Sequence, residues 1–303
     1  MKVGPWVRIP PSPPQESEHM KEMHKIHTIN HYEPTDPLVG LTVVEVNPTE
    51  LCNRTCAFCP RVDPEVYPNQ NLHMSLETIT ALVDNLYNHN YKGRIVFSGM
   101  GEPTLGKNIL DLIQVAKGKI HDIQLYTNGD KILKDEWYTI EDFIQAGITS
   151  IFVDVYDNHE QFVAWKQKIV PFTDRIPIHL SAKYTFPIEI WTNRSGTVKT
   201  DGIPQKALKQ PCYLPHTKAF VDWDGSLLLC CNDWARAAGR FGNVNTTPFH
   251  QLWLSEEMNS IRKKLLLDSR TKAGAPCNTC NATGNQKLKH EVVDVWKPIL
   301  MPL

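Results

Sequence analysis

The sequence has no apolar run approaching the roughly 18–20 residues of a membrane span, and its N-terminus lacks the apolar core of a signal peptide. Nor does it have an excess of charge of either sign: 32 Lys+Arg stand against 33 Asp+Glu, a net charge of −1. The first absences predict a cytoplasmic protein that makes no use of a membrane. The charge balance removes the basic field that would make nucleic acid a main partner, and the acidic tract of a solvating tail. Internal repeats are missing, as is low-complexity sequence beyond a proline-rich leader. What is there is a 303-residue chain with 41% hydrophobic content, enough for one large domain, or one of about 150–200 residues with a smaller companion. Its eight cysteines, in a reducing compartment, point to metal or cofactor ligands rather than disulfides.

Residues 1–39 read as a leader without a packed core. Within it VRIPPSPP (Val7–Pro14) resembles the T-loop and CCA end of a tRNA gene read as protein, which predicts a true start at Met20 or Met23; an ordinary proline-rich leader is the alternative. His24, His27 and His31 are expected on a helical surface. From Leu41 strands and helices alternate. LTVVEVN (41–47), RIVFSG (94–99), DIQLYT (122–127) and ITSIFVDVY (148–156) read as buried strands. Between and after them come helices over 75–89 with Ser75 as cap, 108–118 stopped by Gly118, about 134–146 ending at Gly147, and 159–169. This spacing implies a parallel α/β sheet or partial barrel over residues 40–200, with its site at the C-terminal ends of the strands. RIPIHLS (175–181) and FPIEIW (186–191) are strand-like but too close together for a crossover helix, so a full run of six βα units is not supported. Five of the eight cysteines follow Gly202, which marks residues 201–303 as a second, small α+β domain.

Three cysteines fall inside TELCNRTCAFCPR: Cys52, Cys56 and Cys59, directly after the first strand. A zinc site borrowing a distant fourth ligand is one reading. A cubane iron–sulfur cluster is the other, since cysteines at such intervals ligate these clusters, and three ligands for four irons leave one iron open.

CNRTCAFC resembles the signature of the radical S-adenosylmethionine (SAM) superfamily. Three further stretches fall where that family would place them. GMGEP (Gly99, Met100, Gly101, Glu102, Pro103) ends the second strand, and its glycines would let backbone approach the SAM amino group. Thr127 and Asn128 of TNG end the third strand, a weak turn signal taken alone. Asp154 ends the fourth, where the resemblance implies a polar contact to the SAM ribose; a solvated Asp is the plain alternative. Phe58 would pack near the adenine. The resemblance implies a TIM-like partial barrel and a first 4Fe–4S cluster whose open iron is chelated by SAM. It also implies an electron donor such as flavodoxin or ferredoxin, and a 5′-deoxyadenosyl radical that takes hydrogen from an unreactive carbon.

CYLPHTKAFVDWDGSLLLCC and the later CNTC resemble the SPASM/twitch extension of the same superfamily. Cys212, Cys230, Cys277 and Cys280 would then saturate one auxiliary 4Fe–4S cluster, serving as an electron port; a zinc knuckle is the alternative. The hairpin with its turn at Asp224-Gly225 is expected to put Cys230 near Cys212. Cys231, on the opposite strand face from Cys230, is expected as buried packing. Arg194, between the last core strand and Cys212, is a candidate clamp for a substrate hydroxyl or carboxylate, or a surface loop residue. Oxidation of a small polyol or sugar-like molecule is the leading expectation. Modification of a peptide side chain is the second, and a non-catalytic zinc-binding adaptor is the alternative from another class.

Overall fold

In a computed structural model, residues 36–301 are described with the exception of Asp268; the leader motif, its methionines and its histidines lie outside that range. Seven strands form one sheet: β1 (Val43–Val46), β2 (Arg94–Phe97), β3 (Asp122–Thr127), β4 (Ser150–Val155), β5 (Ile178–Ala182), β6 (Lys218–Val221) and β7 (Leu227–Leu228). Their order is β5-β4-β3-β2-β1-β6-β7. All pairs are parallel except the β6–β7 hairpin. The edge strands β5 and β7 are not paired with each other, so the barrel stays open, in agreement with the partial barrel expected. β6 pairs in register with β1, Val46 opposite Val221, so the cysteine-rich C-terminal segment and the core share one sheet.

Helix α1 (Leu76–Asn88) connects β1 to β2, and α2 (Ile109–Ala116) connects β2 to β3. The short α3 (Asp130–Leu133) and α4 (Ile140–Ala146) lead to β4, and α5 (His159–Ile169) to β5. Ser75 caps α1 by accepting from the Thr78 amide. The helix buries Thr78, Ile79, Leu82, Val83 and Leu86, the spacing of one helical face. The helix expected over 134–146 is shorter: it begins only at Ile140, where Thr139 and Asp142 form a reciprocal capping box that starts α4, and α3 lies before the expected span. FPIEIW is a second correction. It forms no strand; Lys183–Thr185 and Ile188–Ile190 are single 3₁₀ turns, because a segment crossing the open end of the barrel has no neighbouring strand to pair with.

Strand alternation divides the residues by chemistry. Val44, Val46, Ile95, Phe97, Ile123, Leu125, Ile151 and Val153 join the apolar core under the helices. The alternate residues point inward and are largely polar: Glu45, Arg94, Ser98, Gln124 and Tyr126 line an internal cavity. The remaining helices are α6 (Leu214–Thr217), α7 (Phe249–Trp253), α8 (Glu256–Leu267), α9 (Arg270–Ala273) and α10 (Lys289–Leu300). Helix α10 docks by Trp296, whose Nε1 donates to the His216 carbonyl at 2.8 Å. Arg262 lies fully buried, 3.8 Å from the Trp253 ring centre and 4.5 Å from that of Trp296. No helix among the described residues is long and apolar enough to cross a membrane.

Candidate active site

The loop after β1 carries Cys52, Cys56 and Cys59, all half-buried. A hydrogen bond from the Cys59 amide to the Cys56 carbonyl (2.9 Å) turns the backbone between them. The three cysteines line one cavity of about 290 Å³ together with Gly99, Met100, Gly101, Glu102, Pro103, Thr127, Asn128, Asp154, Phe58 and Arg194. Every residue singled out in the sequence for the first cluster and for SAM therefore lines the same space. Burial pushes the thiols up, Cys52 to about 12 and Cys56 to about 11.

Several of these side chains are committed to holding the loops. Glu102 is buried, and its carboxylate accepts from the Thr104 amide and hydroxyl, from Thr127 Oγ1 at 2.5 Å and from the Asn128 amide at 2.7 Å. It thus ties the end of β2 to the end of β3. Asn128 Nδ2 donates to Asn53 Oδ1 (2.8 Å), and Arg54 forms ion pairs with Asp130 and Asp157, so the cysteine loop is fastened to the same strand ends. A Cβ on Gly99, where φ is +107°, would stand 2.4 Å from Asn47 Oδ1, and one on Gly101 would stand 2.0 Å from the Thr49 carbonyl. Only glycine permits this close approach. The Phe58 ring stacks on Trp191 at 3.7 Å and 7°, with Tyr156 5.5 Å away. Asp154 pairs with Lys183 at 3.6 Å and accepts from Tyr156 Oη, yet burial raises its pKa above the ordinary aspartate value. Arg194 reaches the cavity from a turn in which Arg194, Ser195 and Gly196 all have positive φ, a strained conformation for the two that are not glycine.

Three inward residues were not picked out in the sequence: Glu45, Lys218 and Tyr126. Lys218 on β6 pairs with Glu45 on β1 at 2.5 Å, and Ser98 donates to the same carboxylate. Burial alone would raise Glu45, but the Lys218 ammonium and these hydrogen bonds bring it below the usual glutamate value. Glu45, Ser98 and Tyr126 line both the cysteine cavity and a larger one of about 810 Å³ inside the barrel. The signal available in the sequence was a charge at the centre of the otherwise apolar run VVEV.

The second cysteine set converges in the C-terminal segment. Cys212 precedes α6, Cys230 follows β7, and Cys277 and Cys280 bracket a 3₁₀ turn. Burial pushes Cys277 up to about 12, with Cys212 and Cys280 adding to the effect, and Cys230 is raised by burial and then by Cys231, Cys277 and Cys212. The turn at Asp224-Gly225 forms as expected, with Gly225 at φ +87°. Cys231, expected as buried packing, is half-buried: it packs against the cluster of Tyr67, Met100, Phe220, Leu228 and Trp234, and it also lines the first cavity. Among the described residues no three His, Cys, Asp or Glu side chains converge closely enough to share one metal ion.

A family model of the radical SAM superfamily matches residues 46–176, and one of the SPASM iron–sulfur cluster-binding domain matches residues 212–281. The chain belongs to the radical SAM superfamily. As a radical SAM protein with a SPASM domain it uses SAM, a 4Fe–4S cluster and an auxiliary cluster, and the two thiol sets fit that complement. It is 29% identical over 267 residues to the S-adenosyl-L-methionine-dependent 2-deoxy-scyllo-inosamine dehydrogenase of Niallia circulans, covering 81% of this chain and 94% of the relative. The crystal structure of BtrN in complex with AdoMet and 2-DOIA is similar at a TM-score of 0.66 and 23% identity, covering 80% of this chain and 94% of that one. BtrN in an open conformation is similar at 0.57 and 22%, covering 80% and 92%. These two likenesses establish the fold.

Proposed function

We propose that this radical SAM enzyme oxidises a secondary alcohol of a small polyol or aminocyclitol to a ketone in the cytoplasm, with flavodoxin or ferredoxin as electron donor. One observation carries the reading: the cavity lined by the three thiols shares Glu45, Ser98 and Tyr126 with the larger cavity inside the barrel, whose wall sets Arg94, Gln124 and Lys218 among apolar side chains. The similarity to a dehydrogenase acting on an aminocyclitol supports it.

In this reading Cys52, Cys56 and Cys59 hold the first cluster, and Cys212, Cys230, Cys277 and Cys280 hold the second. Gly99 to Pro103, Thr127, Asn128 and Asp154 form the walls for SAM. When bound, these groups supply a hydrogen-abstracting radical and an acceptor for one electron. The chain's own residues do the rest. Glu45, kept ionised by Lys218, accepts a hydrogen bond from a substrate hydroxyl at its carboxylate, and Arg194 donates to a neighbouring hydroxyl. Phe58 and Trp191 form an aromatic wall that keeps water from the reacting carbon.

The test is to supply reduced, anaerobic enzyme with 2-deoxy-scyllo-inosamine and other cyclitols deuterated at their carbinol carbons. Deuterium in the 5′-deoxyadenosine, matched by a ketone product, is the expected result. A full panel that leaves the 5′-deoxyadenosine unlabelled would remove the polyol reading.

A further inference from the structure

Two loops shape the SAM cavity, the cysteine loop after β1 and GMGEP after β2, and one buried polar network joins them. Asn47 is its hub. Asn47 Oδ1 accepts from the Met100 amide at 2.9 Å and the Gly101 amide at 3.3 Å. Asn47 Nδ2 donates to Glu50 Oε1 at 3.0 Å and to Asp222 Oδ1 at 2.9 Å. Glu50, two residues before Cys52, also accepts from Tyr67 Oη at 2.9 Å and pairs with Arg61 at 3.2 Å. Arg61 Nε in turn donates to the Met100 carbonyl at 3.0 Å, and Tyr67 Oη lies 3.1 Å from Met100 Sδ.

These partners all come from the core except Asp222 and one cation, Arg236. Its Nη2 sits 2.9 Å from Glu50 Oε1 and 2.7 Å from Asp222 Oδ2, and its Nη1 lies 3.3 Å from Tyr67 Oη. Glu50 and Asp222 are 2% and 0% exposed. Two buried carboxylates bridged by one amide are balanced in charge only when both Arg61 and Arg236 are present, and a buried charge without its partner is costly. Arg236 is itself fixed by the turn that begins at a ligand of the second thiol set. The Asp233 amide donates to the Cys230 carbonyl, the Arg236 amide donates to the Asp233 carbonyl, and the Asp233 carboxylate caps Ala237 and Ala238. Arg236 has φ +52° there.

We propose that Arg236 is a positioning residue through which the auxiliary-cluster segment sets the shape of the SAM cavity. Without it, Glu50 and Asp222 repel across Asn47, and the amide that holds Met100 and Gly101 loses its orientation. The effect reaches the SAM-facing backbone by two routes, through Asn47 and through Tyr67. The inference concerns SAM binding alone and does not depend on which substrate is oxidised.

The test uses full-length protein reconstituted anaerobically with iron and sulfide, as wild type, Arg236→Gln and Arg236→Lys. SAM affinity is measured by equilibrium dialysis, and the EPR signal of the reduced protein is recorded with and without SAM. Arg236→Gln is expected to load iron fully yet bind SAM at least tenfold more weakly, with a diminished SAM-induced change in the EPR signal; Arg236→Lys is expected to recover part of both. A purely structural role would lower the melting temperature and leave the affinity of the loaded protein unmoved. A fully loaded Arg236→Gln protein that binds SAM within twofold of wild type overturns the proposal. If that variant fails to fold or load, Tyr67→Phe decides: it keeps the buried ring and removes the hydroxyl shared by Glu50, Arg236 and Met100. It is then expected to weaken SAM binding severalfold, and unchanged binding overturns the proposal.

Discussion

Single residues in this molecule divide between those whose chemistry could be read in advance and those known only by their partners. The cysteines belong to the first group, because thiols at such spacings serve few other purposes. Glu102 belongs to the second: its motif marked it as cofactor-facing, while its carboxylate is engaged by Thr104, Thr127 and Asn128. Glu102→Gln cannot accept all of these bonds, and a loss of about 1–3 kcal/mol is expected for a buried group left unsatisfied, measurable by chemical denaturation. His216 gives a prediction in pH. Burial, reinforced by Arg262, lowers its pKa from 6.5 to about 3. The folded protein therefore holds it neutral where the unfolded chain would take up a proton. Its contribution is complete above about pH 6.5 and is lost as pH falls toward 3, by about 1.4 kcal/mol per pH unit at most. His216→Gln should flatten that acid slope in denaturation curves taken between pH 7 and 4; an unchanged slope would contradict the assignment.

At the scale of elements, the strands were legible as short buried runs bounded by turn residues, and most helices by their apolar stripe. The runs LTVVEVN and DIQLYT, and the stripe of 75–89, correspond to β1, β3 and α1. The segment from 183 to 200 was not legible, since its aromatic residues pack on one another, Phe186 on Trp191, and on Phe58 of the distant cysteine loop rather than on sheet neighbours. GMGEP makes the sharpest prediction at this scale. Gly101→Ala would drive a methyl group onto the Thr49 carbonyl, displacing the loop against the cysteine segment. SAM affinity of the loaded protein is expected to fall at least tenfold with iron content unchanged, read by equilibrium dialysis. Removing the Trp296 side chain, which seats α10 on α6, should cost about 3–5 kcal/mol, as shown by thermal or urea unfolding.

For the whole molecule, the two thiol sets are separate in sequence but mechanically joined. β6 continues the core sheet, Lys218 supplies the partner of Glu45, and Arg236 completes the network under the first loop. None of this was visible in the sequence, because parallel pairing between β1 and β6 and an ion pair spanning nearly the whole core depend on tertiary placement that local pattern does not encode. The two sets should nonetheless be separable in function. Cys277→Ala is expected to retain at least part of reductive SAM cleavage while losing substrate turnover; normal turnover in that variant would show that the second set is not needed as an electron port.

The central claim is that three thiols, rather than four, make a site open to SAM. It is tested most directly by incubating anaerobic, reduced protein with SAM and measuring 5′-deoxyadenosine by mass spectrometry, beside Cys56→Ala. The account predicts 5′-deoxyadenosine from the wild type and none above background from the variant. Equal amounts from both, or none from wild-type protein carrying its full complement of iron, would contradict it.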